Sequence, residues 1–329
     1  MAVRIARHPG PLIAPPRRGR GPDLAVRSVR LVSEANRTDQ RQAYGRLHPA
    51  RGRCRLSENH PVKQVKPAAP VAPWLGGKKR LHGRIIQRIE AIPHRTYIEP
   101  FVGMGGVFLR RRFRPTLEVA NDLNGEIINL FRILQRHYPQ LMEVMRFQLA
   151  SRREFERLRA TDPATLTDLE RAARFLYLQR LAFGGQVGGV FGVAATNGPR
   201  FSLARLEIIL EEARERLDGV VLESLDWADL IDRYDSDRAL FYLDPPYFGG
   251  EADYGKGMFD RGQFAKMADQ LAKIKGGFIL SINDTPEIRE TFAAFRFEEV
   301  SLTYTISAGA GTQAKELIIS NRAKEGRLI

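Results

Sequence analysis

From Val71 onward, the chain alternates short apolar runs with amphipathic stretches, and this alternation restricts the fold more than any other feature. The strand candidates are residues 96–101, 116–122, 220–224, 239–244, 277–283, 297–305 and 315–321. Apolar residues recur at helical spacing in 125–137, 203–217, 227–234 and 261–275. Strands and helices in this order predict an α/β domain with a largely parallel sheet.

A long insertion interrupts this plan after the second strand. Residues 125–218 contain further helical patterns at about 139–149, 151–160 and 167–183. They are followed by a stretch dense in glycine and β-forming residues, 182–201, which predicts a hairpin. The sequence therefore predicts a core made of residues 71–124 and 219–329, with a mainly helical insert between them.

The first 70 residues differ in composition from the remainder of the chain. They hold 15 Lys and Arg against 4 Asp and Glu, and 9 of the 19 prolines, with no hydrophobic period. This composition predicts a disordered basic extension. Three interpretations stay open: an arm that binds nucleic acid, an extension without function or a misassigned start, and a targeting peptide, although the apolar core of a secretory signal is lacking.

Cysteine usage and hydropathy exclude several protein classes. Cys54 is the only cysteine, so neither an intrachain disulfide framework nor a zinc site built from cysteines is available. No run approaches the roughly 18–20 apolar residues that a membrane span needs. We therefore expect a cytoplasmic protein with no membrane partner and no metal, and a monomer is favoured.

A glycine-rich loop follows the first strand of the core, and it leads into a predicted helix that ends near Arg112. Gly103 and Gly105 give a ligand room to approach the backbone, and Asp122 ends the next strand, 19 residues after Gly103. Phe108 occupies the third glycine position of the dinucleotide fingerprint, which disfavours a pyrophosphate and hence NAD. The loop favours a nucleoside without a diphosphate; the alternative is a tight strand–helix turn with no ligand.

The segment ALFYLDPPYFGG, residues 239–250, ends an apolar run on Asp244, Pro245, Pro246 and Tyr247. Two consecutive prolines fix two φ angles and remove two N–H donors, so the carbonyls there become rigid acceptors. Rigid acceptors beside an aromatic ring suit a flat group that carries N–H donors. The alternative is a capped strand end.

Three motifs in this order resemble the Dam-like (D12 class) DNA adenine-N6 methyltransferases. They are PWLGGKKRL (73–81), EPFVGMGG (99–106) and DPPY (244–247), with the long insert before the last motif, and the resemblance covers about residues 71–321. It implies a Rossmann-like, S-adenosylmethionine-dependent methyltransferase sheet with an inserted, mainly helical target-recognition region.

The resemblance also implies roles for individual residues. S-adenosyl-L-methionine would be flanked by Trp74 and Lys78, with its ribose held by Asp122. Its adenine would be engaged by Asp226 and Trp227, although a core residue is the plain alternative for Trp227. The remaining wall of the cofactor site would be formed by Glu99, Pro100, Phe101, Gly103 and Gly105.

The DPPY segment then acquires a chemical role. Hydrogen bonds from the adenine N6 amine to Asp244 and to the Pro245 carbonyl would localise the nitrogen lone pair for attack on a sulfonium methyl group. Tyr247 would stack on the base, which must first be turned out of double-stranded DNA.

Sequence recognition is expected from the insert, through Arg180, Gln186 and Arg200, although surface arginines are often merely solvated. Cytosine-N4 methylation, RNA methylation and a catalytically decayed DNA-binding protein are the alternatives. A Rossmann oxidoreductase is disfavoured by Phe108 and by DPPY.

Overall fold

The computed structural model describes residues 63–192, 201–251, 259–304 and 312–321. The described residues form nine strands: β1 (Lys63–Gln64), β2 (Thr96–Glu99), β3 (Phe113–Arg114), β4 (Leu117–Asn121), β5 (Val221–Glu223), β6 (Ala239–Leu243), β7 (Gly277–Asn283), β8 (Arg296–Tyr304) and β9 (Thr312–Ser320). β1 pairs with β3 in a small antiparallel ribbon, and the other seven strands form the central sheet.

The described helices lie on both faces of this sheet. They are α1 (His82–Glu90), α2 (Gly125–Arg136), α3 (Tyr138–Met145), α4 (Arg152–Ala160), α5 (Asp168–Leu181), α6 (Leu203–Leu217), α7 (Trp227–Tyr234), α8 (Gly262–Leu271) and α9 (Pro286–Thr291).

The central sheet has the strand order β5-β4-β2-β6-β7-β9-β8. The first five strands pair in parallel, whereas β9 is antiparallel to both β7 and β8. The expectation of an α/β domain with a largely parallel sheet is confirmed. Because β4, β2 and β6 are adjacent and parallel, their carboxyl ends meet at one edge of the sheet.

Each face of the sheet supports its own core, which explains why the central strands are continuous apolar runs. On β6, Leu240 and Tyr242 belong to one buried cluster, while Phe241 and Leu243 belong to the other. The first cluster includes the apolar faces of α2 to α6, and the second includes those of α7 and α8. The insert therefore shares a core with the sheet.

The insert is mainly helical, as the periodicity predicts. Helix α2 begins at Asn124, whose side chain accepts a hydrogen bond from the Glu126 N–H, and α5 begins with a capping box between Thr167 and Glu170. In the predicted hairpin region, the described residues include an isolated antiparallel bridge between Ala182 and Phe191. Residues 193–200 lie outside the described part of the chain.

Two expectations differ from the structure. Residues 63–70, assigned above to a disordered extension, belong to the fold: β1 pairs with β3, and Ala68 is buried against the core. The ordered chain therefore begins earlier than Val71, while residues 1–62 lie outside the description. The helix expected after the glycine loop is a short 3-10 turn, Phe108–Arg110, because the chain then extends into β3.

Candidate active site

A cleft of about 580 Å³ opens where the carboxyl ends of β4, β2 and β6 meet. This edge is the usual ligand position in open α/β sheets. Ten of the residues predicted to be catalytic or to bind the cofactor line this cleft: Trp74, Lys78, Glu99, Pro100, Phe101, Gly103, Asp122, Trp227, Asp244 and Pro246. The structure thus brings all three sequence motifs to one place.

The glycine loop forms one wall of the cleft and is closely covered by Trp74. Gly103 and Gly105 have positive φ values of 50° and 76°. A Cβ on Gly103 would lie 2.9 Å from the Trp74 Nε1, and one on Gly105 would lie 2.5 Å from the Leu109 Cγ. Both positions therefore require glycine, although Gly105 shapes the loop from behind and does not line the cleft.

Asp122 directly follows β4 and holds the glycine loop in place. Its Oδ2 accepts a hydrogen bond of 2.9 Å from the Gly103 N–H, and its Oδ1 accepts one of 2.9 Å from the Asn124 N–H. Burial raises the pKa of Asp122 to about 6, against the lowering effect of these two bonds. The carboxylate therefore lies on the cleft wall and also orders the backbone around it.

Asn121, for which the sequence predicts no role, joins three segments beside Asp122. Its buried amide donates to the carbonyl oxygens of Pro100 and Leu225, and its Oδ1 accepts from the Leu225 N–H. The amide therefore ties the loop after β2 to the loop after β5. A polar residue at the end of a buried strand is the signal that could have revealed it.

Asp244 directly follows β6 and lies inside a buried polar network. Lys78 Nζ lies 2.7 Å from Asp244 Oδ1, and the Ser281 hydroxyl donates to the same oxygen over 3.2 Å. Ser281 in turn shares a hydrogen bond of 2.8 Å with the Tyr242 hydroxyl. No side chain in the described part of the chain contacts Oδ2, so among these residues this oxygen is left for a ligand in the cleft.

The charge of Asp244 reflects two opposed effects. Burial raises its pKa to about 6, while the Lys78 ammonium lowers it. Lys78 is itself only 4% exposed, and Glu316 on β9 adds a second carboxylate, 3.9 Å from the Lys78 Nζ. The resemblance implies that Lys78 flanks the cofactor, and the structure adds its direct contact with Asp244.

The remainder of the DPPY segment is fixed from two sides. The Tyr247 hydroxyl accepts a hydrogen bond of 2.8 Å from Lys78 Nζ, which lies 4.5 Å from the centroid of the Tyr247 ring. Asn283 accepts a hydrogen bond from the Phe248 N–H and donates one to the Phe248 carbonyl oxygen, so it fixes the turn.

No donor in the described part of the chain contacts the Pro245 carbonyl oxygen. Neither Pro245 nor Tyr247 lines the cleft itself.

Glu99, at the end of β2, is a buried carboxylate on the cleft wall. It is 2% exposed, and the Tyr97 hydroxyl donates a hydrogen bond of 2.6 Å to its Oε1. Burial raises the pKa of Glu99 to about 8, and the nearby Asp244 charge contributes to the rise, although Tyr97 and Arg111 oppose it. A cation in the cleft would therefore stabilise the ionised form.

Comparison with known proteins decides the family. The family model of the D12 class N6 adenine-specific DNA methyltransferases matches residues 74–306, which include the second and third motifs, all of the first motif except Pro73, and the whole insert. The chain belongs to this family. The interpretation of the three motifs as those of a DNA adenine-N6 methyltransferase is confirmed.

Several relatives match this methyltransferase over most of their own length. The type II methyltransferase M1.LlaDCHI of Lactococcus lactis subsp. cremoris is 26% identical over 277 residues, covering 77% of this chain and 95% of the relative. The DNA adenine methylase of Haemophilus influenzae is 28% identical over 282 residues, covering 76% and 92%. The DNA adenine methylase of Vibrio cholerae is 29% identical over 266 residues, covering 72% and 90%.

The segment after β5 contributes to the methyltransferase cleft differently from the expectation. Asp226 is the N-cap of α7, and its Oδ1 accepts a hydrogen bond of 2.9 Å from the Ala228 N–H. Asp226 is not among the residues that line the cleft, whereas its neighbours Leu225 and Trp227 are. Trp227 is 3% exposed, and its Nε1 donates to Gln263. This segment therefore offers an apolar surface to the cleft.

Of the three residues expected to contact DNA, the structure describes Arg180 and Gln186, and these two occupy different environments. Arg180 is partly buried in the cleft wall and donates to the Val71 carbonyl oxygen over 3.3 Å. Burial and the nearby Arg205 lower the Arg180 pKa. Gln186 is exposed in the glycine-rich segment, and Arg200 lies outside the described residues. Arg180 is therefore better placed for a ligand in the cleft than for the outer surface of a duplex.

Two further observations concern other classes of site. Within the described ranges, no cluster of His, Cys, Asp and Glu side chains has the arrangement of a metal site. No helix in the same ranges is long and apolar enough to cross a bilayer.

Proposed function

We propose that this methyltransferase transfers the methyl group of S-adenosyl-L-methionine to N6 of an adenine that has been turned out of double-stranded DNA. The observation that carries the proposal is the position of Asp244. Its carboxylate lies in the same cleft as the glycine loop, with Oδ1 bound to Lys78 and Ser281 and with Oδ2 left for a ligand.

The residues present fit this cofactor. A cleft of about 580 Å³ is within the range of roughly 300–1,000 Å³ that is common for small-molecule sites. The loop that closes it tolerates no side chain at Gly103, as expected where backbone approaches a ligand closely. When bound, S-adenosyl-L-methionine supplies a methyl group on a positively charged sulfur.

Three parts of the wall would hold the cofactor. Asp122 is the acceptor for the ribose hydroxyls, since it directly follows the strand next to the glycine loop. Trp227 and Leu225 offer an apolar surface for the adenine ring. Glu99 is the buried carboxylate that suits the ammonium group at the amino-acid end, because a cation there would favour its ionised form.

The target amine would be received by the DPPY segment. Asp244 Oδ2 and the Pro245 carbonyl oxygen accept its two N–H groups, which localises the lone pair on nitrogen for an in-line attack. Tyr247, held by Lys78, stacks on the base. After transfer, the nitrogen carries one extra proton, which Asp244 Oδ2 would accept, because this oxygen already receives one N–H group of the amine.

The remaining parts of the chain take supporting roles. The central sheet serves as a Rossmann-like methyltransferase sheet, and residues 125–218 serve as the target-recognition region. Within that region, Gln186 is exposed in the glycine-rich segment, where it can reach base edges, while Arg180 contacts a phosphate or the ligand at the cleft. Arg200 is assigned to DNA by its sequence position.

The experiment incubates the purified chain with methyl-labelled S-adenosyl-L-methionine and one of three polymers: duplex DNA, single-stranded DNA or RNA. We expect label in N6-methyladenine from duplex DNA. We also expect 2-aminopurine at the target position to become fluorescent on binding, because flipping unstacks it. Label confined to RNA, or found as N4-methylcytosine, would contradict the proposal.

A further inference from the structure

A buried cluster of charges lies beneath the glycine loop, outside the cleft. Glu118 on β4 contacts three arginines: Arg111 at 2.7 Å, Arg114 at 2.8 Å and Arg216 at 2.7 Å through both carboxylate oxygens. Glu118, Arg111 and Arg216 are each at most 2% exposed. Burial favours the neutral form of Glu118, but the guanidinium groups of Arg216, Arg111 and Arg114 outweigh it and hold the pKa of Glu118 below its usual value.

This cluster joins segments that are far apart in the chain. Arg216 lies in the last turn of α6, at the end of the insert, and it also donates to the Phe108 carbonyl oxygen in the turn after the glycine loop. Arg111 follows that turn directly. Burying several charges carries a large desolvation penalty, and apolar residues of similar size would often stabilise such a site as well. A role in fixing geometry explains the cluster better than stability does.

The cluster extends to the cleft through Tyr97, by one cation–π contact and one hydrogen bond. The Arg111 guanidinium lies 3.5 Å from the centroid of the Tyr97 ring, and the Tyr97 hydroxyl donates to Glu99 Oε1 over 2.6 Å. Glu99 lines the cleft. Oε1 is engaged by Tyr97, and among the described residues no donor contacts Oε2, which is therefore the oxygen left for a ligand.

We infer that Tyr97, Arg111 and Glu118 are positioning residues for the methyl donor. They hold Glu99 so that its free oxygen receives the ammonium group of the donor's amino-acid end, and Arg216 extends the same network to the insert. This inference rests on the proposed function and deepens it, because it assigns a part of the chain to one end of the donor.

The test compares two ligands that share the nucleoside but differ at that end. S-adenosylhomocysteine carries the amino-acid group, and 5′-methylthioadenosine lacks it. We expect Tyr97→Phe to weaken S-adenosylhomocysteine by about tenfold in calorimetry and to change 5′-methylthioadenosine by less than about twofold, since the variant lacks the hydrogen bond that orients the Glu99 carboxylate. The donor KM should rise more than kcat falls.

Tyr234→Phe is the matched control, because the Tyr234 hydroxyl also donates to a glutamate, Glu223, over 2.8 Å, away from the cleft. It should leave both affinities unchanged. Arg111→Lys should reproduce the selective weakening, since lysine keeps the charge beside Glu118 but not the planar contact with Tyr97. If Arg111→Lys does not fold, Tyr97→Phe decides the question.

Equal weakening of both ligands by Tyr97→Phe, or no weakening of either, would overturn the positioning role while the donor assignment stands. A wild-type protein that binds neither ligand would overturn the donor assignment itself. The two failures are therefore distinguishable in one experiment.

Discussion

Lys78 Nζ lies 2.7 Å from Asp244 Oδ1, although the whole insert separates these residues in sequence. The same ammonium donates to the Tyr247 hydroxyl over 2.8 Å. One buried cation therefore organises the first and the last residue of the DPPY motif. It also lowers the pKa of Asp244, which burial otherwise raises.

Lys78→Met should shift the pH dependence of kcat. Without the ammonium, the pKa of Asp244 rises above its value of about 6, so the carboxylate form that accepts the amine is reached only at higher pH. The acidic limb of the profile should move upward by about one pH unit. Lys273→Met, at an exposed position after α8, is the control. An equal decrease of kcat at every pH would contradict this electrostatic role.

Asp122→Ala should weaken S-adenosyl-L-methionine by roughly 1.5–3 kcal/mol, because two ribose hydroxyls lose a charged acceptor. The melting temperature should also fall, since Asp122 accepts the Gly103 and Asn124 N–H groups. Calorimetry and thermal unfolding measure the two effects, with the exposed Asp269→Ala on α8 as the control. Unchanged donor affinity would remove Asp122 from the site.

Glu99→Gln should stabilise the free protein while it weakens donor binding. The folded-state pKa of Glu99, about 8, lies above its ordinary value of 4.5, so the wild type loses stability as pH rises between these values. Glutamine carries no such proton and keeps the acceptor for Tyr97. Urea unfolding should show a gain of roughly 1–4 kcal/mol near pH 8 and little gain near pH 5. The same gain at both pH values would contradict the assigned ionisation.

Two truncations should separate the basic extension from the fold. Deleting residues 1–62 should leave turnover, site choice and melting temperature intact. Deleting residues 1–70 should lower the melting temperature, because it removes β1, the buried Ala68 and the ion pair between Lys66 and Glu212. If the protein that lacks residues 1–62 folds but no longer methylates DNA, the extension has a catalytic role.

The salt dependence of DNA binding by the full-length and truncated proteins tests whether the basic extension is an arm that binds nucleic acid. If residues 1–62 bind phosphates, the slope of log K against log salt should fall by about 0.9 for each phosphate that the truncated protein no longer neutralises. We expect the specific binding site to stay the same in either case, since the predicted recognition residues lie in the insert.

The ends of the central strands could be predicted from the sequence because each strand is buried on both faces. A continuous apolar run that stops at a carboxylate marks where a buried strand reaches a ligand edge, and Asp122 and Asp244 both occupy such positions. The glycine loop followed from the same logic. These features are local, so the sequence shows them directly.

The buried charges could not be predicted in the same way. An acidic residue in a strand, such as Glu118, normally indicates a solvent-facing position, but here Arg111 and Arg216 come from distant segments to neutralise it. The turn after the glycine loop ends at Arg110, whereas the sequence predicts a longer helix there. Arg111, the next residue, has a buried side chain. Helical spacing places Arg180 on a helix of the insert. It reaches the cleft because α5 packs beside the segment around Val71, a contact that the sequence does not show.

The most direct test measures methylated nucleosides in plasmid DNA from a host that lacks its own adenine methylation and expresses either the wild type or Asp244→Ala. Calorimetry with S-adenosyl-L-methionine on both purified proteins completes it. The account predicts N6-methyladenine in the wild type, none in Asp244→Ala, and donor affinity retained in the variant, because Asp244 faces the base and not the ribose. N6-methyladenine at near wild-type levels in Asp244→Ala, or only N4-methylcytosine in the wild type, would contradict it.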